Sequence, residues 1–177
     1  MSMVQLSRSL QSVRFEEALR AAAQPGALPR LADIDIGTLQ DLKPWIAIVE
    51  PNNATRTLMI EMAGTGISQL LGREAVGVDY LDIVDPAIHG EAFDSTFVML
   101  TRPCGLWQMT PGLTEAGEKV MVEYTGYPIF DHAKQCGQIM FLIQLAQDVV
   151  VERAPRIVMV KHATTWDWLE ARSHVPA

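Results

Sequence analysis

The stretch MIEMAGTGISQLLGREAVG, Met59 to Gly77, restricts the folds open to this chain more than any other. It reads as the end of an apolar strand, a glycine-rich turn, a short helix and a second glycine turn. Gly64-Thr65-Gly66 between a strand and a helix serves one of two purposes. It cradles a phosphate on backbone amides, or it bends the chain where a side chain has no room. A dinucleotide site needs G-x-G-x-x-G inside a strand-helix-strand unit, and Gln69 stands at the third glycine position. There is no Gly-Lys-Ser or Gly-Lys-Thr to hold terminal phosphates, and no obvious parallel strand follows GISQLLG. The turn is therefore expected to bend a strand into a helix within an antiparallel scaffold, with Gly72 ending that helix.

The flanking segments support such a scaffold. WIAIVE and TLMIEM, separated by the turn formers PNNATR, read as an antiparallel hairpin with Leu58, Ile60 and Met62 on one face and Glu61 on the other. In VDPAIHGEAFDSTFVMLTRP, Asp85 is a cap and Pro86 a first helical residue, and Ile88, Ala92, Phe93, Phe97 and Leu100 form an apolar stripe. CGLWQM, KVMVEYTGYPIF and GQIMFLIQLA read as three consecutive antiparallel strands, divided by TPGLTEAGE and DHAKQCG as hairpin turns. Residues 7–23 have the spacing of an amphipathic helix, ended by QPGALPR. In the tail, RIVMV reads as a strand or a docking segment and TWDWLEAR as a short helix capped by Thr164 or Thr165. The fold class is α+β.

A chain of 177 residues accommodates one core, and its formal charge of -7 argues against nucleic acid or an anionic membrane as partner. No apolar run approaches the ~20 residues of a membrane span, and the start lacks a signal-peptide pattern, so the expected location is cytoplasmic. Cys104 and Cys136 form no ligand cluster and are expected as reduced, buried thiols.

LPRLADIDI, Leu28 to Ile36, followed by the hairpin and then AGTGISQLLGREAVG, Ala63 to Gly77, resembles a PAS-like family of short, mostly stand-alone bacterial proteins. The resemblance covers about Leu28 to Gln147 and departs at Ile36 and Gly37, near where the family commonly has a proline. It divides the chain into an N-terminal helix and linker (1–27), a PAS-like domain (28–147) and a C-terminal extension (148–177). It implies a five-stranded antiparallel sheet with helices on one face. It also implies a sensory or regulatory, non-catalytic role, with a small apolar ligand or a regulatory protein as partner. An isolated helix as short as the N-terminal one is marginal in water, so it is expected to pack against the sheet or against a second subunit, the latter giving a homodimer.

The resemblance does not identify a cofactor. Flavin-cysteinyl chemistry needs a cysteine on the helix after the second strand, and ISQLLGRE has none. Haem-binding relatives use a histidine on or beside the long helix. Here His89 lies beside Gly90 and Glu91, which suggest exposure, and so argues against haem. Asp79, Asp82 and Asp85 lack a calcium-loop pattern and are assigned to turns and caps, with no metal expected. Glu50, Glu61 and Glu123 are expected in solvent. The expected ligand lining is Ile60, Met62, Phe97, Trp107, Met109, Tyr124, Met140, Phe141 and Leu142, large or soft side chains converging between sheet and helices. The alternative is a small α+β barrel enzyme of isomerase or cyclase type, with a pocket Asp or His as base and Tyr124 or Trp107 orienting an apolar substrate. An inward carboxylate within reach of a histidine would favour that alternative.

Overall fold

The computed structural model describes residues 7–24, 26–146 and 155–170. Helix α1 (Leu10–Ala22) starts at Ser9, whose hydroxyl accepts the Ser12 amide at 3.1 Å. Three short 3-10 turns lead to a hairpin of β1 (Ile46–Asn52) and β2 (Thr57–Ala63). Its turn is closed by Asn52 Oδ1, which accepts the Ala54 and Thr55 amides. Helices α2 (Thr65–Leu71) and α3 (His89–Thr101) follow, then strands β3 (Cys104–Thr114), β4 (Lys119–Asp131) and β5 (Cys136–Leu145).

These strands are antiparallel in the order β2-β1-β5-β4-β3, so the last strand of the five lies at the centre, the first lies inside the β2 edge, and the third ends the row on the other side. That order, with α2 and α3 between the hairpin and the three-strand meander, is the PAS fold. The sheet is larger than the five strands expected, because β6 (Ile157–Val160) and β7 (Thr165–Glu170) both pair antiparallel with β3.

The glycine turn holds no anion cradle. A Cβ on Gly64 would lie 2.1 Å from the Lys43 carbonyl oxygen, and one on Gly66 would lie 2.7 Å from the Trp45 indole. Both glycines are needed because α2 begins against the backbone and ring of residues 43–45. Gly72, at φ 64, ends α2 as its left-handed cap.

Strand alternation gives the sheet two different faces. On the inner face α2 and α3 cover Val49, Leu58, Ile60, Val122, Tyr124 and Ile143. On the outer face α1 and its linker cover Trp107, Met109, Tyr127, Ile129, Met140 and Leu142, with Phe15 and Leu19 fully buried between. Helices thus pack on both faces, and the amphipathic stripe of α1 is used within its own chain.

Glu123 also lies on the outer face and corrects the solvated assignment. It is buried, and its carboxylate accepts the Ser9 amide (2.9 Å), the Trp107 indole N–H (2.7 Å) and the Gln144 amide (2.9 Å). Beside it the Ser12 and Thr125 hydroxyls meet at 2.6 Å, and Arg8 pairs with Glu16. Burial raises the Glu16 carboxyl, but hydrogen bonds led by that from Arg8 outweigh it, and the group ends below its ordinary value. A polar seam therefore fixes where α1 sits.

Two further expectations change. Pro111 and Gly112 belong to β3 and not to a turn, and the turn is confined to the residues after Thr114. TWDWLE is a strand and not a helix, because the free edge of β3 offers backbone partners that outweigh local helical preference. Arg172 and the residues around it fall outside the described segments.

β6 and β7 are one strand interrupted at residues 161–164, and Pro111 accounts for the interruption. The Pro111 carbonyl accepts the Lys161 amide at 2.9 Å, so Pro111 nitrogen faces the same edge. It has no hydrogen to return the bond, and the pairing breaks there. It resumes where the Thr164 amide reaches the Met109 carbonyl.

Candidate functional site

A cleft of about 640 Å³ opens on the inner face, between α3 and the interrupted sixth strand. Its floor is strand surface: Val49, Leu58, Leu106, Gln108, Tyr124 and Phe141. Phe141 lies across the sheet because its neighbour on β4 is Gly126, where a Cβ would meet the ring at 2.5 Å. One wall is α3, with Glu91, Ser95 and Val98, and the other runs from Lys161 through Ala163 to Trp166 and Trp168. Behind it a void of about 40 Å³ lies among Ile60, Ile67 and Leu70 and shares Tyr80 and Tyr124 with the cleft. That space is ordinary core packing.

The rim is polar and internally paired. Lys161 Nζ pairs with Asp85 at 2.8 Å, and His162 Nε2 lies 3.1 Å from the Glu91 carboxylate, so two polar contacts join the interrupted strand to the start of α3. The Lys161 hydrogen bond, then the Ala87 amide, hold the Asp85 carboxyl below its usual range. Asp94 pairs with Arg56, whose guanidinium stacks 4.4 Å from the Phe93 centroid.

Deeper in, Tyr80 and Tyr124 meet edge-on, with ring centroids 6.3 Å apart at 68°. Burial pushes the Tyr80 phenol up to about 12, against a smaller lowering by its neighbour, and raises that of Tyr124 well above its ordinary value. Both are neutral phenols at physiological pH.

The structure divides the residues expected to line a ligand site. Tyr124 and Phe141 line the cleft, and Ile60 lines the small void behind it. Phe97 packs beside Phe93 on α3, 5.1 Å centroid to centroid, and is not part of the cleft wall. Met62 is 40% exposed near the end of β2. Trp107, Met109, Met140 and Leu142 pack under α1 on the opposite face. Along β3 the cleft-facing residues are Leu106 and Gln108, one step out of phase with Trp107 and Met109. Sequence reasoning missed Tyr80, Gln108, Trp166 and Trp168. The two-residue spacing of the tryptophans, read as a strand, was the available signal.

The other candidates have structural partners. His89 Nε2 lies 2.9 Å from the Val84 carbonyl, an acceptor, so this nitrogen carries the proton and is engaged. Asp79 accepts the Leu58 and Leu81 amides and so ties β2 to the following 3-10 turn. Asp85 caps the turn before α3. Glu50 and Glu61 share Lys134 at the surface. Among the described residues no group of three or more His, Cys, Asp or Glu side chains could hold a metal, and no helix is long and apolar enough to cross a membrane.

No family model and no curated protein matches the chain. Solved structures similar to it include the PAS domain of a Colwellia psychrerythraea protein, at 13% identity over 64% of this chain and 98% of that one, TM-score 0.46. A light-oxygen-voltage domain studied with a flavin analogue matches at 14% identity over 64% and 84%, TM-score 0.47. The Vibrio cholerae VqmA dimer matches at 15% identity, TM-score 0.48; the match takes in 64% of this chain and only 53% of VqmA. The PAS-like fold stated above rests on the strand order itself and not on these superpositions.

Proposed function

We propose that the chain is a sensory or regulatory module, non-catalytic, whose inner-face cleft holds a small apolar ligand. The observation that carries this reading is the cleft: about 640 Å³ left open in a face otherwise closely packed. Small-molecule sites typically enclose about 300–1,000 Å³ of mostly apolar surface with a few polar groups. A regulatory protein partner would be the receiver of the signal. The net charge of -7 supports a partner other than nucleic acid. The proposed homodimer would use the outward side of α1, where Leu10 is exposed, because the inward side is spent on the sheet.

One observation favours the enzymatic reading: Glu91 and His162 are an acid and a histidine within reach at the cleft. Both side chains are more than half exposed, at 65% and 57%, so water solvates them at the rim. A rim pair in water lacks the desolvated setting that tunes a general base.

Native mass spectrometry of the full chain purified from its own host tests the reading, with Ser95→Trp on the α3 wall as the filled-cleft control. The expected result is a small-molecule adduct on the wild type that the variant lacks. A wild type without adduct, together with a Ser95→Trp variant that is simply more stable, would make the cleft an unused void.

A further inference from the structure

We propose that the cleft selects an uncharged, flat aromatic molecule bearing a neighbouring hydrogen-bond donor and acceptor, such as a lactam edge, and that the C-terminal strand supplies the stacking wall. This rests on the reading of the cleft as a ligand site and specifies its guest.

Charge is the first argument. Each ionic side chain lining the cleft already has a partner: Lys161 with Asp85, His162 with Glu91, and Asp94 with Arg56. Among the described residues lining the cleft no unpaired cation is left to receive a phosphate or carboxylate, and a charged guest would lose its water without compensation.

The polar groups inside are neutral and few. Gln108 lies on the cleft floor, and its carboxamide has no hydrogen-bond partner among the described residues. A carboxamide offers one donor and one acceptor side by side, and its complement is the same pair reversed. Tyr80 and Tyr124 stand beside it as two neutral phenols in edge-on ring contact. A neutral phenol both donates and accepts, so it suits an uncharged polar edge.

Shape is the third argument. Trp166 and Trp168 lie opposite Gln108 and Leu106 on the inner side of the sheet, and their rings meet edge-on at 6.0 Å. They line the cleft yet remain 55% and 39% exposed, an unusual expense of indole surface unless something rests on it. With Phe141 and the tyrosine pair they make a mouth and floor of aromatic faces, which reward a flat ring over a flexible chain.

The test is calorimetric titration of the full chain with quinolin-2-one, a neutral lactam, and with its 4-carboxylate. The lactam should bind, and the carboxylate should bind at least about tenfold more weakly. Gln108→Leu should weaken the lactam about tenfold, and Trp166→Leu combined with Trp168→Leu should do the same. Met109→Leu, on the outer face, should leave binding unchanged, and thermal unfolding of each variant checks that it is folded. Equal binding of both probes would overturn the neutral guest. An unaffected Gln108→Leu would overturn the lactam edge, and an unaffected double tryptophan variant the stacking wall. In those cases binding that Ser95→Trp abolishes would leave the cleft as a ligand site. No lactam binding to a chain that carries a native adduct overturns this proposal alone. No binding and no adduct overturn the ligand site as well.

Discussion

The two faces of this sheet are built from the same strands, one residue out of phase, and they solve different problems. Under α1 the outer face is closed: Phe15, Leu19, Tyr127, Ile129 and Met140 are at most 1% exposed, and a buried carboxylate with three donors sets the register of the helix. Under α3 the inner face is left open on one side, the polar groups on its floor are neutral while charged ones keep to the rim, and its farthest wall comes from the C-terminal strand. A closed face supplies stability, and an open one leaves room for a guest whose binding energy has not already gone into folding.

The largest expected effect follows from the closed face. Phe15→Ala should cost about 3–5 kcal/mol in urea unfolding, the usual penalty for emptying an aromatic site, whereas Ile88→Ala at the cleft should cost well under half as much. Similar losses at the two positions would break the comparison. Next, Glu123→Gln replaces one acceptor oxygen with a donor facing donors and should cost about 1–3 kcal/mol. Hydrogen exchange should show the loss first in α1, and uniform loosening of the whole sheet would count against a local seam.

The smallest effect is at the rim. The Asp85 carboxyl is lowered when folded, so its pairing with Lys161 is fully present above the ordinary 3.8 and fades as pH falls through the lower folded value. Lys161→Ala should remove that acid dependence, with a shift in melting temperature near the limit of detection. A large shift would mean that the rim, too, is structural.

Much of the fold was legible in the sequence because local chemistry and tertiary context agree there. The hairpin turn, the Asp85-Pro86 start, the glycine bends and the three-strand meander each carry a turn or cap signal that the packing keeps. The site was less legible. Where both faces of a strand are buried, as in QIMFLIQ, hydrophobicity does not reveal phase, so Met140 and Leu142 could not be told from Phe141. Glu123 looked like a surface residue because its donors come from Ser9, Trp107 and Gln144, all distant in sequence. TWDWLE and TPG were misread because what decides them is a free sheet edge, which appears only when β3 is in place.

The gap opposite Pro111 also has an arithmetic consequence. Four residues of the extension, 161–164, stand opposite two of β3, Thr110 and Pro111, between the pairs Gly112–Val160 and Met109–Thr165. The surplus is even, so the odd-even phase of the strand survives the break, and both tryptophans emerge on the side of the sheet that faces α3. Deleting one residue from the gap would leave an odd surplus, which only a β-bulge absorbs without turning the tryptophans toward α1, whereas deleting two would match the two residues of β3 and keep Trp166 opposite Gln108.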